Sequence, residues 1–170
     1  MSHPAIAAVL LLTAAAPNAS FADYPALTEA FRAALFGETE AIDARDRKTQ
    51  MQLARLGVKV KETDDSPIDL SYRFPSPMVI SGATVSRVVY TGDSGSLFYA
   101  VAQGDVDAFV KRFQLRRVPA GMKETHGIYS QYYKWLGKRG DTFPYPGIFY
   151  VKIIDRKKGL FEFGTQTFDG

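Results

Sequence analysis

The side chains best suited to chemistry in this 170-residue chain lie in Gly92-Asp93-Ser94-Gly95-Ser96 and at His126. A serine hydroxyl becomes a nucleophile when an imidazole takes its proton and a carboxylate orients that imidazole. Ser94, His126 and Asp93 are the residue types such a set needs, and the reaction would be hydrolysis. Glu124 is close to His126 in sequence, but residues at i and i+2 do not pair on a helix face, and a glycine follows the histidine. Gly, Asp and Ser are also the residues that stabilise tight turns. The turn is the reading we prefer for 91–95, with an envelope hydrolase using Ser94, Asp93 and His126 as the alternative.

Gly92-Asp93-Ser94-Gly95 resembles the nucleophile motif of chymotrypsin-like serine proteases. The resemblance implies a base histidine and an orienting aspartate upstream of the serine, on two β-barrels. Here His126 follows Ser94, and no cysteine is present to form that family's disulfides. The resemblance therefore ends at four residues.

A second concentration of potential is aromatic. Tyr129, Tyr132, Tyr133, Trp135, Phe143, Tyr145, Phe149 and Tyr150 fall between residues 129 and 150, interleaved with Lys134, Lys138 and Arg139. Rings beside cations offer large contact area with little rotamer entropy to lose, as binding surfaces do. Tyr129, Tyr132, Tyr133, Lys134, Trp135, Lys138, Arg139 and Tyr145 are the expected binding residues. The competing expectation is that these rings fill a core beside the last hairpin. Arg139-Gly140-Asp141 reads as a turn.

The address comes from the first 22 residues. Ala5 to Ala16 is an apolar run between Pro4 and Pro17, and Ser20-Phe21-Ala22 follows the small-x-small pattern of a secretory cleavage site. The run suits a signal-peptide core of roughly 7–15 residues and is short for a membrane helix of ~20. We expect residues 1–22 to be a signal peptide and 23–170 a single domain with no membrane span, periplasmic or secreted and of bacterial type. Removal of the signal takes His3 and leaves His126 as the one histidine. With no cysteine and one histidine, zinc, haem and iron–sulfur sites are not expected, and no cofactor is. Net charge is −2 over 23–65, +2 over 66–122 and +3 over 123–170. This mild C-terminal bias suits anionic partners, but no basic helix suggests nucleic acid.

The elements that must position these residues follow from periodicity. Asp23 before Pro25 reads as a helix cap, and Leu27, Phe31 and Leu35 form one buried stripe. A second helix is expected over 38–56 and a linker over 59–67. Ile68, Leu70, Tyr72 and Phe74 alternate with polar residues as a strand ending at Pro75 and Pro77. Strands over 84–90 and 97–102 form a hairpin. Asp105 caps a helix carrying Val106, Phe109, Val110 and Phe113. In residues 121–142, Ile128, Tyr132, Trp135 and Leu136 suit a helix and Tyr129, Gln131, Tyr133 and Trp135 a strand; a short helix is the reading preferred, and 148–154 and 160–168 are read as a final hairpin.

The fold expected is α+β: helical over 23–57, then sheet-rich over 68–168, an antiparallel sheet of hairpins with one packed helix. The function expected is that of an exported non-enzymatic binding protein, an inhibitor or immunity-type partner of another envelope protein. A structural component binding cell-wall glycan is the further alternative.

Overall fold

The structure, a computed structural model, describes residues 23–63, 67–93, 95–122, 127–137 and 147–168. Three helices are present among them, and each begins at an aspartate whose carboxylate accepts from a backbone N–H three residues on. Asp23 accepts from Ala26 N at 2.9 Å and starts α1 (Tyr24–Leu35). Asp46 accepts from Thr49 N at 2.8 Å and starts α2 (Arg47–Arg55). Asp105 accepts from Ala108 N at 2.9 Å and starts α3 (Val106–Arg112). These bonds satisfy donors that the helix itself leaves open.

Eight strands form one antiparallel sheet. They are β1 (Lys59–Glu62), β2 (Ile68–Ile80), β3 (Ala83–Asp93), β4 (Gly95–Gln103), β5 (Arg116–Arg117), β6 (Tyr132–Leu136), β7 (Gly147–Asp155) and β8 (Leu160–Phe168). Their spatial order is β1-β2-β3-β4-β8-β7-β6-β5. The sheet is therefore two four-stranded meanders, β1–β4 and β5–β8, joined edge to edge where β4 pairs with β8 from Gly95↔Phe168 to Gln103↔Leu160. The mix of helices and antiparallel sheet is the α+β class, dominated by strand.

Antiparallel partners in register point to the same face. Tyr72, Val88, Ala100, Phe163 and Val151 follow one another across five neighbouring strands, and all are buried. This face carries the main core, onto which both α1 and α3 pack. From α1, Phe31 meets Tyr72 edge-on at 5.4 Å and Phe74 at 5.0 Å. From α3, Phe109 lies 4.8 Å from Phe163. Phe36 stacks on Phe149 at 4.9 Å and ties the end of α1 to the second meander.

The structure departs from the sequence expectations at five places. All three helices, not one, contribute to the core on the sheet, α2 through Leu53. The helix expected over 38–56 starts only at Arg47; the chain before it is pulled inward, with Ile42 and Ala44 buried against the core. The buried Tyr72 hydroxyl fixes that segment by donating to Ile42 O and accepting from Ala44 N at 3.2 Å. Residues 59–62, expected as linker, form the edge strand β1. β2 continues through Pro75 and Pro77 to Ile80, because its register with β3 breaks between Arg73 and Met78, so no ladder bond is asked of the prolines there.

The helix expected over 121–142 is also replaced, in its described part, by strand β6. Period two wins over period three to four here. Tyr133 and Trp135 turn to one face, and Tyr132, Lys134 and Leu136 to the other, each opposite a β7 residue in register.

Candidate functional site

The two meanders treat the face opposite the helices differently. On the second, Ile128, Tyr133, Ile148 and Tyr150 make a separate buried cluster, with Val118, Met122, Leu97, Tyr99, Trp135 and Phe168 packed around it. The cover comes from the chain between β5 and β6. It is tied down by Val118 N donating to Gln131 O at 3.0 Å, Gln131 N to Val151 O at 3.2 Å, and Gln166 Nε2 to Gly127 O at 3.2 Å. Burial, with the nearby charge of Glu162 adding to it, raises the Tyr150 hydroxyl well above the usual phenol range and raises Tyr99 in the same sense. Both phenols are held protonated.

On the first meander the corresponding face has no such described cover. One row of in-register residues runs across it: Lys59↔Arg73, Arg73↔Arg87, Arg87↔Val101, Val101↔Glu162 and Glu162↔Lys152. The first three are cations on three adjacent strands, all exposed. Their neighbours stand about 5 Å apart at Cβ, and like charges so placed repel. No ion pair between described residues includes Lys59, Arg73 or Arg87. The row then turns neutral at Val101 and acidic at Glu162, which Lys152 approaches at 3.4 Å. The next row, Lys61↔Ser71↔Val89↔Tyr99, begins with an exposed cation and has a valine at its centre, and Thr91↔Leu97 lies one step further. Val89 is buried; Tyr99, Leu97 and Val101 are half-buried. The face thus carries exposed cations toward β1 and turns apolar toward β4, where Leu97 and Tyr99 also pack against the second cluster.

One glycine makes this geometry possible. Gly164 of β8 lies in register between Tyr99 and Tyr150 at the seam of the meanders. A Cβ there would overlap the carbonyl oxygen of Phe98 and stand 2.5 Å from the Tyr99 Cα. The close approach of β4 and β8 leaves space for no side chain.

The residues singled out from sequence are distributed as follows. Asp93 ends β3 opposite Gly95, which begins β4. Ser94, His126, Lys138, Arg139 and Tyr145 lie outside the described residues. Tyr129 is 66% exposed. Tyr132 faces the helix side, with the Arg117 guanidinium 6.0 Å from its ring centre. Lys134 also faces that side, its ammonium 5.5 Å from the centre of Phe149 and 5.8 Å from that of Phe113. Tyr133 belongs to the second core and meets Trp135 edge-on at 5.5 Å. Strand alternation thus divides Tyr132–Trp135 between two faces and brings together no single patch from them.

Lys59, Arg73 and Arg87 were not among the sequence candidates. Arg73 was visible as a solvent-facing position of an alternating strand, but only strand pairing sets it beside Lys59 and Arg87. Among the described residues no group of three or more Asp, Glu or His side chains is placed to hold a metal ion. None of the described helices is long and apolar enough to cross a membrane. Comparison with known protein families, curated proteins and solved structures found no match to this chain.

Proposed function

We propose that this chain is an exported, non-enzymatic binding protein that engages another envelope protein, as an inhibitor or immunity-type partner does, through the face of β1–β4 opposite the helices. The observation behind this reading is the in-register row of Lys59, Arg73 and Arg87. Each like-charged neighbour pair on a sheet costs roughly 0.2–1 kcal/mol. Folding gains nothing from that cost, whereas a bound partner of opposite charge offsets it. The half-buried Val101, next in the same row, supplies apolar area that binding can remove from water.

The test is site-specific photo-crosslinking in cells expressing the full chain. A crosslinker replaces Val101, at the middle of the face, or Glu29, on the outer side of α1. The expected result is a discrete protein adduct in the envelope fraction from position 101 and none from position 29. No adduct at 101, or the same adduct from both positions, rejects the reading. N-terminal sequencing of the fractionated protein checks export: a chain starting at Asp23 is expected, and one retaining Met1 in the cytoplasm rejects it.

A further inference from the structure

We infer that the partner adds an acidic strand to the outer edge of β1, antiparallel to it, with carboxylates at alternate positions facing Lys59 and Lys61. The inference rests on the binding reading above and adds the form and chemistry of the partner's segment.

Backbone geometry locates the edge. β1 is the outermost strand of the sheet and pairs only with β2. Thr63 N donates to Asp69 O at 3.0 Å, so Thr63 and Asp69 are a hydrogen-bonded pair of the ladder. Such pairs alternate along an antiparallel ladder, which makes Lys61↔Ser71 and Lys59↔Arg73 the next two. Val60 and Glu62 therefore turn their N–H and C=O groups away from β2. No backbone hydrogen bond between described residues uses those outward groups. They are the groups that an added strand pairs with.

Other stretches of the perimeter offer less. Past Arg73, β2 has no β1 residue beside it, but Pro75 and Pro77 have no N–H to give, and the Tyr24 hydroxyl donates to Ser76 O. At the opposite edge Val118 N donates to Gln131 O, so the same alternation turns only Arg117 of β5 outward.

The side chains of β1 select the strand. Lys59 and Lys61 point to the face opposite the helices, and both are exposed. Neither forms an ion pair with a described residue. A strand added to β1 sets its residues opposite these lysines at about 5 Å between Cβ atoms. Side chains of a strand alternate in direction, so carboxylates two residues apart meet both lysines at once. Arg73 and Arg87 continue the positive row behind Lys59. The residue between the carboxylates lies beside Val60, which is half-buried and packs on the main core. An apolar residue there completes an acid–apolar–acid segment.

Two other occupants fit less well. A second copy of β1 laid antiparallel on this edge sets lysine against lysine, and like charges directly opposite repel. An anionic polysaccharide would use the lysines but brings no ladder of amide groups to Val60 and Glu62.

The test uses four short fluorescent peptides on the full chain, read by anisotropy. The first alternates Glu and Val. In the second each Val is N-methylated, which removes the N–H groups that face β1. In the third each Glu is N-methylated, which removes N–H groups that face away. The fourth alternates Lys and Val. We expect the first and third to bind alike, and the second and fourth at least tenfold more weakly. Bound peptide should slow amide hydrogen exchange at Val60 and Glu62. Lys59→Glu/Lys61→Glu should weaken the first peptide at least tenfold, and Lys111→Glu/Lys157→Glu, an equal charge change elsewhere, should not. Near-UV circular dichroism verifies that each variant is folded. Val60→Pro removes one outward N–H and no bond to β2, and provides a milder second variant, with about a threefold loss.

Equal binding of the two N-methylated peptides overturns the inference in favour of charge alone. Binding unchanged by the lysine swap, binding of the Lys peptide as tight as that of the first, or no binding of any peptide overturns it as well. If Val101 crosslinks an envelope protein while the peptides fail, the binding reading stands and only the added strand is rejected. If Val101 crosslinks nothing, the binding reading itself falls, and the inference with it.

Discussion

The two meanders have equal strand number and opposite outer faces. The second, β5–β8, has its outer face closed by its own chain, with Ile128 laid over Ile148 and Tyr150. The first, β1–β4, shares the helix-side core but shows on its outer face the exposed, adjacent Lys59, Arg73 and Arg87. Where a face is closed from within, side chains are chosen for fit. On the other face, the three adjacent cations form no ion pair with a described residue.

That contrast can be broken most severely through what the halves share. Phe31→Ala removes a ring contacting Tyr72, Phe74 and Phe98, and should cost about 4 kcal/mol in urea unfolding. Because Phe36 and Phe163 continue the same core into the second meander, far-UV and near-UV signals should still be lost in one transition. Two separate transitions would show the halves to be independent. Gly164→Ala attacks the seam and should cost about 3 kcal/mol, from overpacking between β4 and β8.

Paired substitutions on the outer faces sharpen the contrast. Ile148→Ala, in the closed half, should cost about 3 kcal/mol, and Val89→Ala, in the open half, about 1.5 kcal/mol. Equal losses would mean that the first face is as fully packed as the second. Alkaline titration of a Tyr150 variant against the parent examines the closed face. The raised Tyr150 hydroxyl stabilises the fold fully below the ordinary phenol value of about 10, and this contribution is lost as pH rises from there toward the folded-state value. Tyr150→Phe should therefore lose less stability than the parent between neutral pH and pH ~11. An identical alkaline loss in both would remove Tyr150 from the account.

The smallest effect has the most telling sign. Arg73→Gln should raise stability by about 0.3 kcal/mol at low salt, a gain that fades as salt screens the row. Lys152→Gln, which removes the partner of Glu162, should lower it by a similar amount. A loss from Arg73→Gln would show that the row stabilises the fold.

The class of fold was legible in the sequence because its signals are local. Alternation over Ile68–Phe74 and the glycine-bearing turn after Asp93 specify hairpins from neighbouring residues alone. The errors arose where distant partners decide. Residues 132–136 carry both helical and strand spacing, and pairing with β7 selects the strand. β1 is a strand only because β2 accepts it, and its Lys-Val-Lys-Glu sequence reads equally well as linker. The candidate face was the least legible part. Lys59, Arg73 and Arg87 are widely separated in the chain, and no periodicity within one strand reports which residue of the next strand stands beside it.

The position of β8 has a consequence for how the molecule is made. It is the last of the eight strands in sequence and lies in the interior of the sheet, between β4 and β7. Until it arrives, each meander presents a full-length unpaired edge, and joining them requires contacts between residues as far apart as Gly95 and Phe168. Such long-range closure is slow, and open edges accept strands from other molecules in the meantime. Any event that withholds β8 therefore leaves two unpaired edges, on β4 and β7, each a template for another strand.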